Sequence, residues 1–372
     1  MKYYIIAGEA SGDLHASNLI RETRQLDQSA IVRAWGGDLM QQQGAEIVKH
    51  YRDLSFMGFL EVILNLRTIL NNLRFCKSDI LHFQPDVLIL IDYPGFNLRI
   101  AEFAHQQGIR VVYYISPQVW AWKKGRVLTI KKVVDRMLVI LPFEQNFYKQ
   151  FGVDVTFVGH PLLDALNQIK PIPSADFRSN NQLSDKPLIA LLPGSRRQEV
   201  SVMLNEMLKM IDHFPGYQFV VAGAPSLEAS FYQTHLKDSQ ASIVFGQTYE
   251  LLRHSTAALV TSGTATLETA LIGTPEVVCY KGNRISFEIA KRLIHVKYIS
   301  LVNLIMDREV VVELIQDQLN EDRLKRELSR LLFNKPEMQQ MNADYLLLRE
   351  KLGGEGASAR AAAEIVEFLT KG

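Results

Sequence analysis

Leu259-Val260-Thr261-Ser262-Gly263-Thr264-Ala265-Thr266-Leu267-Glu268-Thr269-Ala270-Leu271-Ile272-Gly273-Thr274-Pro275 runs from an apolar segment through a small-residue turn into a helical pattern. Residues 257–260 form a short apolar run, which reads as a buried parallel strand. A hydroxyl-rich turn occupies 261–264. The spacing then predicts a helix over 265–272, with Leu267, Ala270 and Leu271 facing inward and Gly273 and Pro275 stopping it. Strand, small-residue turn and helix start together make an anion site, because first-turn N–H groups lack intrahelical partners and the helix dipole favours negative charge there. Ser262, Gly263, Thr264 and Ala265 are the candidate contacts, and Gly263 lets a phosphate approach the backbone. Glu268 lies about one turn in, where a carboxylate can accept hydrogen bonds from a ribose diol. The same residues also make an ordinary capped helix in an α/β sheet, and the local pattern leaves both readings open.

Working outward, strands and helices alternate on both sides. Strands are predicted at 3–7, 31–35, 87–91, 111–115, 137–140 and 156–158, with helices near 13–27, 38–44 and 98–107 between them. Such alternation implies right-handed crossovers and a doubly wound parallel sheet. Residues 167–187 are polar and proline-bearing and read as a linker. The pattern restarts with strands at 188–192, 219–222, 242–245, 257–260 and 276–280. Beyond it helices are expected at 285–294, 309–315, 321–333, 336–352 and 357–370. The expectation is therefore 1–166 as one Rossmann-like domain, 167–187 as linker, 188–352 as a second Rossmann-like domain, and 353–372 as a C-terminal helix that crosses back or is exchanged in a dimer. Ligands are expected in a central crevice faced by the C-terminal strand edges of both domains.

A chain of 372 residues suits two domains. Its formal net charge of +1 argues against broad nucleic-acid binding. The two cysteines, Cys76 and Cys279, give neither a disulfide framework nor metal-ligand spacing. The first residues enter a strand at once and lack the apolar core of a signal peptide. No run of ~18 apolar residues is present to span a membrane. A cytoplasmic protein is the expectation.

Several strand ends carry chemistry. Gly194-Ser195-Arg196-Arg197 closes a strand and opens a helix, so backbone N–H groups and the Arg196 guanidinium make a second phosphate clamp. Gly8-Glu9-Ala10-Ser11-Gly12-Asp13 closes the first strand. There Glu9 is a candidate base or hydroxyl ligand, Ser11 a candidate phosphate contact, and one of Ser11 and Asp13 an N-cap. Asp92 ends a wholly apolar strand, where desolvation raises a carboxylate pKa. His160 is a minor candidate. There is no Walker loop and no Gly-x-Gly-x-x-Gly after a strand, which weighs against an NTPase and a dinucleotide dehydrogenase.

Two stretches point to lipid. Residues 54–75 hold more apolar side chains than one helix face needs, among them Phe56, Met57, Phe59 and Leu66; a two-sided core helix and a membrane-facing patch both fit. Residues 119–136 set Trp120 and Trp122 beside Lys123, Lys124, Arg126, Lys131, Lys132 and Arg136, a pairing suited to anionic headgroups. Lys281, Arg284, Lys291, Arg292 and Lys297 form a second basic set.

These motifs, in content and order, resemble the lipid-A-disaccharide synthase family. Besides the loops already quoted, Met57-Gly58, Asp92-Tyr93-Pro94-Gly95-Phe96-Asn97, Ser116-Pro117-Gln118-Val119-Trp120-Ala121-Trp122, Leu141-Pro142-Phe143-Glu144 and Ala290-Lys291-Arg292-Leu293 carry the likeness over nearly the whole chain. The resemblance implies the GT-B fold and an inverting glycosyltransferase that needs neither metal nor cofactor. It implies transfer from UDP-2,3-diacylglucosamine to 2,3-diacylglucosamine 1-phosphate (lipid X), giving UDP and a β-1′,6-linked disaccharide. It also implies a peripheral place on the inner membrane and a dimer with exchanged C-terminal segments. The family's catalytic aspartate matches Asp92, its first-loop glutamate and serine match Glu9 and Ser11, its nucleotide-binding arginine matches Arg196, and its asparagine near the C-terminal helices matches Asn303. Gly95 departs from some relatives, which carry a second acidic residue there. A soluble UDP-sugar epimerase or another GT-B transferase is the alternative enzyme, and a nucleotide-sugar or lipid-binding module the alternative without catalysis.

Overall fold

The computed structural model describes residues 1–53, 66–121, 125–237, 239–283, 287–288 and 296–371. The chain divides into two units, Met1–Gln168 with Leu352–Gly372, and Ile169–Lys351.

The first unit runs β1 (Lys2–Ala7), α1 (Ala10–Leu26), β2 (Ile31–Gly36), α2 (Asp38–Gln42), β3 (Glu46–His50), α3 (Leu66–Phe83), β4 (Val87–Ile91), α4 (Pro94–Gln106), β5 (Arg110–Tyr114), α5 (Arg126–Val133), β6 (Arg136–Val139), α6 (Pro142–Lys149), β7 (Thr156–Phe157) and α7 (Leu162–Gln168). Its strands lie in the order β3-β2-β1-β4-β5-β6-β7, all parallel. β4 is Val-Leu-Ile-Leu-Ile and every residue is buried, as expected of a strand with helices on both faces. The order reverses between β1 and β4, where Ala7 stands level with Ile91.

The second unit runs α8 (Ser174–Asn180), β8 (Leu188–Leu192), α9 (Arg197–Leu208), β9 (Gln218–Gly223), α10 (Ala229–Leu236), β10 (Ser242–Phe245), α11 (Thr248–Arg253), β11 (Ser255–Thr261), α12 (Thr264–Ile272), β12 (Glu276–Tyr280), α13 (Leu301–Met306), β13 (Val312–Ile315), α14 (Glu321–Phe333) and α15 (Lys335–Lys351). Its sheet is β10-β9-β8-β11-β12-β13, again parallel, and reverses between β8 and β11. The last helix, α16 (Ala357–Thr370), belongs to the first unit and packs on α1. Asp164 accepts from the N–H groups of Gly356 and Ser358 at its start, and Arg110 donates to the Leu369 carbonyl at its end. Both contacts satisfy terminal groups and complement the helix dipole.

Three local readings give way to tertiary packing. Residues 309–315 were expected as a helix. Val312–Ile315 is instead a strand, with Val312 level with Val277, and its β-branched Val312 and Ile315 suit that conformation. Within 167–187, expected as a linker, Phe177 is fully buried among Leu188, Ala190 and Val220, so the segment is anchored to the second unit. The helix expected near 98–107 starts earlier than its apolar spacing implies. The helix begins at Pro94, is preceded by Tyr93 in the left-handed region, and has no side-chain cap. The helix expected at 285–294 lies largely outside the described residues.

Candidate active site

Each sheet's reversal point gathers loops from the C-terminal ends of its two middle strands, which is where open α/β sheets bind ligands.

In the first unit these are the loops after β1 and β4. Glu9 is the N-cap residue of α1, and its side chain is exposed and makes no capping bond. Ser11 is exposed in the first turn and does not cap either. Asp13 does cap, but the wrong helix for the local reading: its buried carboxylate accepts from the N–H groups of Gly37, Leu39 and Met40 at 2.8, 3.1 and 3.2 Å, closing the start of α2. The pattern around residue 13 carries no trace of a partner 24 residues on.

Asp92 and Tyr93 both hold left-handed backbone, with φ of 42° and 47°. Consecutive non-glycine residues there store strain that their surroundings must hold. The Asp92 carbonyl accepts from Asn97 Nδ2 at 2.8 Å and from the Tyr113 hydroxyl, while Asn97 Nδ2 also reaches the Ile91 carbonyl at 3.2 Å. Asp92 is exposed by surface area, yet the surrounding protein still displaces much of the water around its carboxylate. That desolvation, together with the neighbouring negative charge of Glu9, pushes its pKa up to about 6, against the opposing N–H of Tyr93. A carboxylate so tuned can take a proton near neutral pH. Glu9 and Asp92 are thus brought together at one strand edge.

In the second unit the loops after β8 and β11 border a cavity of about 380 Å³. Arg196, Ser262, Gly263, Thr264, Ala265 and Glu268 all line it, as do Thr261 and Ala224. Val260 stands level with Leu192, so the two loops meet at adjacent strand ends. The helix α12 has no side-chain cap; the Thr266 N–H donates to the Gly263 carbonyl at 3.3 Å, which leaves those of Thr264 and Ala265 beside the cavity. Ser262 is turned away in part, its hydroxyl donating to the Ile299 carbonyl at 3.1 Å. The Thr261 hydroxyl is buried and has no hydrogen-bond partner among the described residues. Glu199 folds back to accept from the Ser195 N–H at 3.1 Å, so that backbone donor is already paired. Glu268 accepts from the Tyr249 hydroxyl at 3.1 Å. Burial raises its carboxyl pKa and the tyrosine donor opposes that rise.

Other candidates stand apart. Asn303 is fully buried on α13. Its Nδ2 donates to the Val311 carbonyl and to Glu313, and its Oδ1 accepts from the N–H groups of Val310 and Val311. It holds the approach to β13, and among the described residues it does not line the cavity. His160 is buried, its Nδ1 accepting from the Leu162 N–H at 3.2 Å; burial, with His15 nearby, pushes its pKa down to about 3 and keeps it neutral.

The lipid candidates fare unevenly. Trp120 is 9% exposed and packs edge-on against Phe143 at 5.0 Å, so it belongs to the core and not to a surface patch. Trp122, Lys123, Lys124, Phe56, Met57 and Phe59 lie outside the described residues, as do Arg284, Lys291 and Arg292. Leu66 opens α3, whose inward stripe of Leu73, Cys76 and Ile80 is buried while Leu70 and Phe75 are 42% and 48% exposed. Lys281 is paired with Glu206, and Lys297 with Asp307. Among the described residues, no helix is long and apolar enough to cross a membrane.

Tyr249, Thr248 and Tyr113 carry no signal in the sequence that marks them for a site. The small run Gly223-Ala224-Pro225 at the end of β9 was a usable signal for the cavity wall. Nothing local marks Tyr249.

The lipid-A-disaccharide synthetase family model matches residues 3–366. The lipid-A-disaccharide synthase of Syntrophus aciditrophicus is 40% identical over 378 residues, covering 99% of this chain and 97% of the relative. That of Geobacter metallireducens is 39% identical over 373 residues, with 99% and 97% covered. Among solved structures, the UDP-GlcNAc 2-epimerase of Neisseria meningitidis bound to UDP-GlcNAc superposes with a TM-score of 0.69 at 14% identity, covering 100% of both chains. The calicheamicin glycosyltransferase does so at 0.59 and 17% identity, covering 100% of this chain and 98% of its own. At such identities the likeness shows the fold alone, the GT-B pairing of two Rossmann-like domains. The family match over nearly the whole length goes further: this chain belongs to the lipid-A-disaccharide synthase family, glycosyltransferases of lipid A biosynthesis.

Proposed function

We propose that the protein transfers diacylglucosamine from UDP-2,3-diacylglucosamine to the 6-hydroxyl of 2,3-diacylglucosamine 1-phosphate, releasing UDP with inversion. The observation that carries this reading is Asp92, a carboxylate with its pKa raised to about 6, held on a strained turn beside Glu9 at the reversal point of the first sheet. A sugar hydroxyl is a weak nucleophile at neutral pH, so a general base removes its proton as the new bond forms. Asp92 takes that role and Glu9 orients the acceptor. For inversion the base and the leaving group act on opposite sides of the reacting carbon. Here they are carried on separate units.

The donor belongs to the second unit's cavity. Arg196 and the first-turn N–H groups of α12 meet the diphosphate charge, and Glu268 accepts from the ribose. Those groups stabilise departing UDP without a divalent ion. Both substrates carry acyl chains, so the enzyme works at the inner membrane surface, and within 54–75 the described residues Leu70 and Phe75, exposed on α3, are the candidates to face lipid. A homodimer with exchanged C-terminal helices completes the proposal.

The decisive experiment is incubation with UDP-diacylglucosamine and lipid X, following UDP release and product linkage. Disaccharide formation that persists in EDTA is expected. UDP release without disaccharide, or an absolute need for magnesium, overturns the reading.

A further inference from the structure

Glu268, which lines the second unit's cavity, has a partner behind it that the local sequence does not announce. Tyr249, on α11, donates through its hydroxyl to Glu268 Oε1 at 3.1 Å, across two helices and 19 residues of chain. Its neighbour Thr248 lines the same cavity as Glu268. A glutamate beside a ligand site has three rotors, and a carboxylate offers about four acceptor positions. An untethered side chain loses that freedom only when ligand binds, and the loss weakens binding. The tyrosine removes part of it in advance by fixing one oxygen. Burial also raises the Tyr249 hydroxyl's own pKa well above the ordinary value, so it remains a donor across the working pH range.

We propose that Tyr249 is a positioning residue for nucleotide recognition: its hydroxyl sets the rotation of the Glu268 carboxylate so that the remaining acceptor positions meet a ribose 2′,3′-diol. This rests on the reading of Glu268 as the ribose acceptor. The selectivity that follows is for ribonucleoside over 2′-deoxyribonucleoside diphosphates.

The test titrates UDP and 2′-deoxy-UDP into the full-length protein, its Tyr249→Phe variant and its Glu268→Gln variant. Phenylalanine keeps the ring and removes only the donor, and thermal melting checks that each variant folds. Tyr249→Phe is expected to raise the Kd for UDP about 3–10-fold, with a smaller change for 2′-deoxy-UDP. Its loss of UDP affinity on acidification begins at higher pH than in the wild type, because the missing hydrogen bond no longer opposes the raised Glu268 pKa. An unchanged Kd, or an equal loss on both nucleotides, overturns the positioning role. If Glu268→Gln keeps the wild-type preference for UDP, the ribose reading itself fails and the proposal falls with it. If Glu268→Gln abolishes the preference while Tyr249→Phe keeps it, only the tyrosine's role is overturned.

Discussion

Gly8 and Tyr93 are in contact so close that a Cβ on Gly8 would stand 2.5 Å from Tyr93 Cγ. One residue follows β1 and the other follows Asp92 after β4. The loop carrying Glu9 and the loop carrying Asp92 are therefore pressed into one body by the absence of a side chain. Gly8→Ala must push the Tyr93 ring aside and with it the left-handed turn. Overpacking of this kind costs about 1–3 kcal/mol. Since a ~1 Å misplacement of a reacting group can cost about 10²-fold, the variant is expected to lose far more kcat than melting temperature. Near-normal kcat would show that Asp92 does not depend on this contact.

Asp92→Asn is expected to lower kcat by about 10²–10⁴-fold with UDP affinity nearly unchanged. In the wild type, kcat/KM rises with pH through about 6 as Asp92 loses its proton. Glu9→Gln removes a negative neighbour, so this limb moves to lower pH. A limb that stays in place, or a larger kcat loss in Glu9→Gln than in Asp92→Asn, reassigns the base.

The same carboxyl makes a stability prediction. Its folded pKa is raised from 3.8 to about 6, so the folded state holds its proton more tightly than the unfolded state. Its contribution is fully present below about pH 4 and is lost as pH rises through about 6. Asp92→Asn should therefore raise the melting temperature at pH 8 and leave it nearly unchanged at pH 4. Calorimetry at the two pH values decides it.

In the second unit, Arg196→Ala is expected to weaken UDP binding by about 10–150-fold, the loss of one charge-assisted contact. Gly263→Ala separates fold from ligand. Gly263 has extended backbone, with φ of 165°, and a Cβ there meets no protein atom within 4 Å. The variant should melt like the wild type yet bind UDP poorly, because the methyl group occupies cavity space. Unimpaired UDP affinity in either variant would move the diphosphate elsewhere.

Asn303→Ala should do the reverse. Four hydrogen bonds hold this buried amide between α13 and β13. Leaving their partners unsatisfied costs about 1–3 kcal/mol for each buried group. A lower melting temperature with unchanged UDP affinity is the expected outcome. A selective loss of UDP affinity would restore Asn303 to the binding site.

The family, the two parallel sheets and the strand ends where the candidate residues gather were all readable along the chain. These signals are local: a buried parallel strand is a short apolar run, as in Val87–Ile91, and the loop after it carries the chemistry within a few residues. Glu9, Asp92, Arg196 and Glu268 were legible for that reason. Only the tertiary structure decided what depends on partners far along the chain. Asp13 caps α2 instead of its own helix. Trp120 packs against Phe143 instead of facing lipid. Phe177 turns an apparent linker into part of a core. Val312–Ile315 becomes a strand because β12 offers it an edge to pair with. In each case a hydrogen bond or a packing contact between distant residues outweighs a propensity of a few tenths of a kcal/mol per residue, and no local window contains both partners.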